Sequence, residues 1–117
     1  MAGIFNIPQI RRGTTSKVLP FAYKDKNGDP IDISNATLFV EFRKDCDTGV
    51  VVKTITLGSG ISFITDGTDG KFEFDAFLLE WSAGRYFYDI KSIISGVNDI
   101  YIKGTRIVIQ NVTQIPL

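Results

Sequence analysis

Short apolar and aromatic runs along this chain alternate residue by residue with polar ones, and tight turns interrupt them at regular intervals. Residues 37–44 set Leu38, Val40 and Phe42 on one side and Thr37, Phe39, Glu41 and Arg43 on the other. That two-residue period predicts a half-buried β-strand. Residues 85–94 repeat the pattern, with Tyr86, Tyr88 and Ile90 opposite Arg85, Phe87 and Asp89, and predict a central strand. Further strands are expected at 16–24, 50–57, 61–65, 71–75, 100–103 and 105–112. Pro20 puts the first of these at a sheet edge or a bulge, because proline has no N–H to give a ladder.

The turns fit that reading. Asn27-Gly28, Gly58-Ser59-Gly60 and Asp66-Gly67-Thr68-Asp69-Gly70 supply residues that accept positive φ. The last of them joins 61–65 to 71–75 as a hairpin, and Gly104 is expected to bend or bulge the final pair of strands. Residues 76–82 break the alternation. Phe77, Leu78 and Trp81 fall at i, i+1 and i+4, which predicts one short helical turn there. The sum is a single all-β domain, an antiparallel β-sandwich of roughly seven to nine strands.

The ends differ from the middle. Residues 1–15 read as an extended arm, 16–113 as the sandwich and 114–117 as a short tail. Ile4, Phe5, Ile7 and Ile10 are too apolar for a solvated arm. Either they cover the sandwich as an edge strand, or they dock onto a neighbouring subunit. Ile115 and Leu117 in the tail form a second candidate docking element.

Composition narrows the functions open to the chain. Thirteen basic and thirteen acidic side chains cancel, so no net field draws it to nucleic acid or to an anionic membrane. With no histidine and one cysteine, histidine-based triads and zinc sites are excluded, and Cys46 has no partner for an internal disulfide. Neither a GxxxxGK[ST] nor a GxGxxG run is present to cradle phosphate. Met1–Ile10 lacks the charged start and continuous apolar core of a secretory leader, and no run reaches the roughly 18 apolar residues of a membrane span. The chain is therefore expected to stay in the cytoplasm where it is made, with no catalytic residue, cofactor or metal.

Two loops carry carboxylates in patterns that could hold a cation. Asp25-Lys26-Asn27-Gly28-Asp29 matches the first half of a calcium loop, but Pro30 and Ala36 stand where the turn glycine and the bidentate glutamate belong. Asp66 and Asp69 lie in a plain turn sequence. Both loops read as hairpin turns. Trp81 with Tyr86 and Tyr88 could stack on sugar rings, as in a small carbohydrate-binding module or an adhesin subunit; core packing is the alternative.

The order of these pieces resembles a known group. Lys24-Asp25-Lys26-Asn27-Gly28-Asp29-Pro30-Ile31-Asp32-Ile33-Ser34-Asn35-Ala36-Thr37 is similar to the opening segment of small virion domains of tailed bacteriophages. Among these is the N-terminal immunoglobulin-like domain of upper baseplate proteins. The stretch from Arg43 to Val52, that from Thr65 to Phe74, and Ala83-Gly84-Arg85-Tyr86-Phe87-Tyr88-Asp89-Ile90 follow the same pattern in the same order. The resemblance covers about residues 13–113 and implies an immunoglobulin-like sandwich without catalytic residues. It also implies a place in the virion, in a tail, baseplate, neck or head-fibre assembly, with copies of itself and other virion proteins as partners. Where the upper baseplate pattern continues into a coiled-coil or receptor-binding extension, the expectation here is one domain without it.

Overall fold

The computed structural model describes residues 3–46 and 48–110. Eleven strands run through them: β1 (Gly3–Ile4), β2 (Ile7–Arg11), β3 (Thr14–Ser16), β4 (Leu19–Ala22), β5 (Thr37–Lys44), β6 (Val51–Leu57), β7 (Gly60–Phe63), β8 (Lys71–Phe74), β9 (Phe77–Leu79), β10 (Gly84–Ile94) and β11 (Val97–Ile109). Nine form one sheet in the order β1-β11-β10-β5-β6-β7-β8-β4, with β2 also on β11; β3 and β9 make a second, two-stranded sheet. The fold is all-β, and no helix occurs among the described residues. In particular, no helix there is long and apolar enough to cross a membrane.

Alternation builds the core. Leu38, Val40 and Phe42 on β5, and Tyr86, Tyr88 and Ile90 on β10, are buried, while Glu41, Arg43, Phe87 and Asp89 point to the opposite face. At Gly58-Ser59-Gly60 the chain turns over and β7 runs parallel to the end of β6, pairing Thr56 with Gly60. Gly58 and Gly60 both take positive φ (88° and 102°), which glycine adopts at little cost. Beyond this corner β7, β8 and β4 fold back over β5 and β10. The Phe74 ring meets Phe42 and Tyr88 edge-on at 6.3 and 6.4 Å, and Phe21 stacks on Phe72 at 5.3 Å. The result is one curled sheet that folds back on itself, an arrangement compatible with a β-sandwich.

One expected strand holds to the residue, since β5 spans 37–44; β7 and β8 pair antiparallel as the expected hairpin, over 60–63 and 71–74. The single strand expected at 16–24 is instead divided, Ser16 ending β3 on the small sheet and β4 with Pro20 forming the free edge of the main one. Others need correction. The expected helical turn at 76–82 is absent: Phe77 and Leu79 alternate with an exposed Leu78, and β9 pairs antiparallel with β3 from Ser16–Phe77 to Thr14–Leu79. Three pairings with β3 decide the conformation where seven residues of local spacing were ambiguous. Gly104 does not interrupt its strand, since β11 runs through it. The irregularity lies three residues earlier. Ile90 pairs with Ile102 but Lys91 with Ile100, so Tyr101 is an extra residue. This bulge turns Tyr101 into the core, where its ring stacks on Tyr23 at 4.1 Å and its hydroxyl donates to the Ala22 carbonyl. The sheet is also mixed rather than wholly antiparallel, because β1 and β2 run parallel to β11 and β7 runs parallel to β6. The arm and the β9 segment account for the strands beyond the expected seven to nine.

Candidate interaction surface

The N-terminal segment lies on its own domain. β1 and β2 run parallel along β11, Ile4 beside Lys103 and Ile7 beside Arg106, with a shift of register before Ile10 meets Val108. Ile7 and Ile10 sink into the core, whereas Ile4 and Phe5 stay exposed at 74% and 40%. Between the two strands, Phe5 N–H donates to the Lys103 carbonyl (3.0 Å), and the Asn6 side-chain oxygen accepts from Thr105 N–H (3.2 Å). The Phe5 ring meets Phe21 edge-on at 5.9 Å, joining the arm to the far edge strand β4. Of the four arm residues expected to dock, two are therefore core residues and two remain on the surface. Ile115 and Leu117 lie outside the described residues.

The outer face of β5, β10 and β11 carries an open depression. Register sets its residues in rows: Arg43, Phe87 and Thr105 in one; Glu41, Asp89, Lys103 and then Ile4 in the next; Phe39, Lys91 and Ile100 in a third. A shallow depression of about 910 Å³ runs across these rows, with Ile4 and Asn6 at one rim and Thr48 at the other. Its floor is partly apolar, through Phe87 and Ile100. Arg43 is fixed at the rim by the Gly49 carbonyl (2.8 Å) and the Glu41 carboxylate (3.4 Å). Glu41 and Asp89 stand directly opposite each other on neighbouring strands, a like-charge pairing that costs stability. Lys103 lies across from Asp89 on the other side. Such a face can take polar and apolar contacts together, which suits a protein partner.

The rings considered for sugar stacking go elsewhere. Tyr86 and Tyr88 are buried, with hydroxyls donating to the Ser82 carbonyl (2.6 Å) and the Phe5 carbonyl (2.6 Å). Burial pushes the Tyr88 hydroxyl well above its usual range. Trp81 is half-buried against Phe42, Phe77 and Tyr86, with ring centroids 4.8–5.9 Å away. The three do not share an open platform.

The acidic loops fold as turns. Asp25 Oδ1 accepts from the backbone N–H of Asn27 (2.8 Å) and Asp29 (3.0 Å), as an Asx turn does. Asp66 accepts from the Thr68 hydroxyl and backbone N–H, which holds its carboxyl below the usual value. Among the described residues no group of three or more Asp, Glu, Cys or His converges to hold a metal ion. Cys46 is exposed on the turn after β5.

The depression as a unit left no signal in the sequence. Alternation did place Phe87 opposite Tyr86 and Tyr88, hence outward. Yet the approach of Ile4 and Asn6 to Lys103 and Thr105 depends on a parallel pairing about a hundred positions apart, which no local period signals. No protein-family model matches the chain, and no curated protein matches it.

Proposed function

We propose that this chain is a non-enzymatic structural subunit of a bacteriophage virion, an immunoglobulin-like sandwich acting through protein–protein contacts in a symmetric, multi-copy tail, baseplate, neck or head-fibre assembly. The resemblance of its turn-and-strand order to small virion domains supplies the virion setting. The observation that carries the assembly role is the uncovered face of β5, β10 and β11. There Phe87 and Ile100 sit among charges of both signs, beside an exposed Ile4. Contact through this face is favoured over strand-edge pairing. Pro8 on β2 and Pro20 on β4 each remove a ladder donor from the outer strands of the sheet. Carbohydrate binding through Trp81, Tyr86 and Tyr88 is the weaker reading, because two of those rings are core residues.

The test is mass spectrometry of purified particles from cultures that express the chain. Recovery at a fixed ratio to capsid or tail proteins is expected. Absence from clean particles overturns the proposal. Replacing Phe87 and Ile100 by Ser and Asn should then leave the fold intact and lower incorporation at least tenfold. Undiminished incorporation would show that this face makes no assembly contact while leaving the virion role standing.

A further inference from the structure

Arg106 points inward from β11 with only 6% of its surface exposed. Its backbone neighbours across the sheet are Tyr86 and Ile7, both buried. The guanidinium donates from Nη1 to the Ser16 hydroxyl oxygen on β3 at 2.7 Å, and no protein acceptor meets its Nε. Among the described residues no carboxylate pairs with it. A guanidinium stays charged at any physiological pH, and burying one without a counter-charge costs several kcal/mol.

The polar inventory at this point is one-sided. Arg106 brings five N–H donors and no acceptor. Ser16, itself 2% exposed, uses its oxygen to accept from Arg106, which leaves its own O–H to donate. The cluster therefore lacks an acceptor at Nε and one negative charge. A carboxylate supplies both. It is planar, accepts two parallel bonds from a guanidinium, and as a monoanion cancels a single positive charge without leaving excess.

We propose that Arg106 and Ser16 form a binding site for a single carboxylate group. Access comes through the small sheet that carries Ser16. β3 and β9 share only three residue pairs, Leu78 of the middle pair is exposed, and so is Val18 just after β3. A two-stranded sheet this short opens at low cost compared with the main sheet. The carboxylate enters as β3 lifts, and the site closes over a neutral pair.

Thermal unfolding of the full chain tests this, in sodium formate against sodium chloride at matched ionic strength. Formate stands for a free small carboxylate, and N-acetylglutamic acid α-amide for an acidic side chain of a protein partner. A saturable rise in Tm is expected, about 5 °C at a tenfold excess over Kd. The rise should vanish in Arg106→Gln and Arg106→Met. A rise with formate alone assigns the site to a free ligand, and a rise with both probes assigns it to an acidic side chain. Equal shifts in formate and chloride, or an undiminished shift in either Arg106 variant, overturn the site. Should the Arg106 variants fail to fold, Ser16→Ala keeps the charge and removes the hydroxyl. It is expected to weaken formate binding by roughly fivefold to tenfold, and unchanged affinity refutes the proposal.

Discussion

Gly104 passes directly beneath the Phe5 carbonyl, with no room for a Cβ between strand β11 and the arm. That carbonyl also accepts from the Tyr88 hydroxyl on β10, and Phe5 N–H donates to Lys103. One residue of the arm is thus held through both its backbone groups by two strands of the main sheet. The glycine is required by close approach, since no strand break occurs there.

Replacing Gly104 with alanine should therefore act on the arm. The added methyl meets backbone, which cannot move aside as a flexible side chain can. A loss of about 1–3 kcal/mol is expected from overpacking, measured as a lower urea midpoint. Hydrogen exchange should quicken first at the Phe5 and Ile7 amides. Uniform loss of protection across β5 and β10, with the arm unaffected, would contradict this account.

The arm residues separate into two kinds. Ile10 is buried against Leu79, Tyr86 and Val108, whereas Ile4 is 74% exposed. Ile10→Ala should cost about 2–5 kcal/mol of stability. Ile4→Ala should stay within about 0.5 kcal/mol. Paired denaturant melts of the two variants check the arm's placement on its own domain in solution. Equal, small effects would mean that the arm leaves β11.

Much of the sandwich was legible because its strands carry their own period. Residues 37–44 and 85–94 each bury one side and expose the other, so local pattern and final register agree. Where the outcome rested on a distant partner, the pattern misled. Phe77, Leu78 and Trp81 satisfy a helical spacing, and only β3, some 60 positions earlier, makes Phe77 and Leu79 a strand. The bulge at Tyr101 left no local sign either, because Gly104 offered a more obvious irregularity nearby. The same limit applied to the candidate surface. Alternation exposed Phe87, but the rim formed by Ile4 and Asn6 needed the parallel pairing of the chain's first strands with β11.

Acid should weaken the fold through its turns. Asp66 is held below its ordinary value of 3.8 by the Thr68 hydroxyl and backbone, Asp69 by the Lys71 N–H and Thr65, and Asp32 by Ser34. A carboxyl depressed in the folded state contributes stability above its unfolded pKa and loses it as pH falls through the folded one. Tm should hold steady down to about pH 4.5 and then decline. Asp66→Asn keeps an acceptor in the turn without the titration, so its decline should be shallower. An identical acid limb in the variant would show that this turn does not contribute.

The alkaline limb belongs to the core tyrosines. Burial raises the pKa of Tyr88, of Tyr101 and, with the nearby Asp99 adding to it, of Tyr23 above the ordinary 10.0. A group raised on folding lends stability that is complete below the unfolded pKa and is lost as pH climbs towards the folded one. Stability should therefore be flat up to about pH 9 and fall above pH 10. Tyrosinate absorbance should appear together with the loss of structure rather than before it. Tyr88→Phe separates two effects. At neutral pH it should cost about 1 kcal/mol, because the Phe5 carbonyl loses the donor it has at 2.6 Å. Above pH 10 the variant has one fewer buried hydroxyl to ionise, so its stability should fall less steeply than the parent's. Parallel alkaline slopes would show that Tyr88 ionises without unfolding the sheet, and would place the cost on Tyr23 and Tyr101 instead.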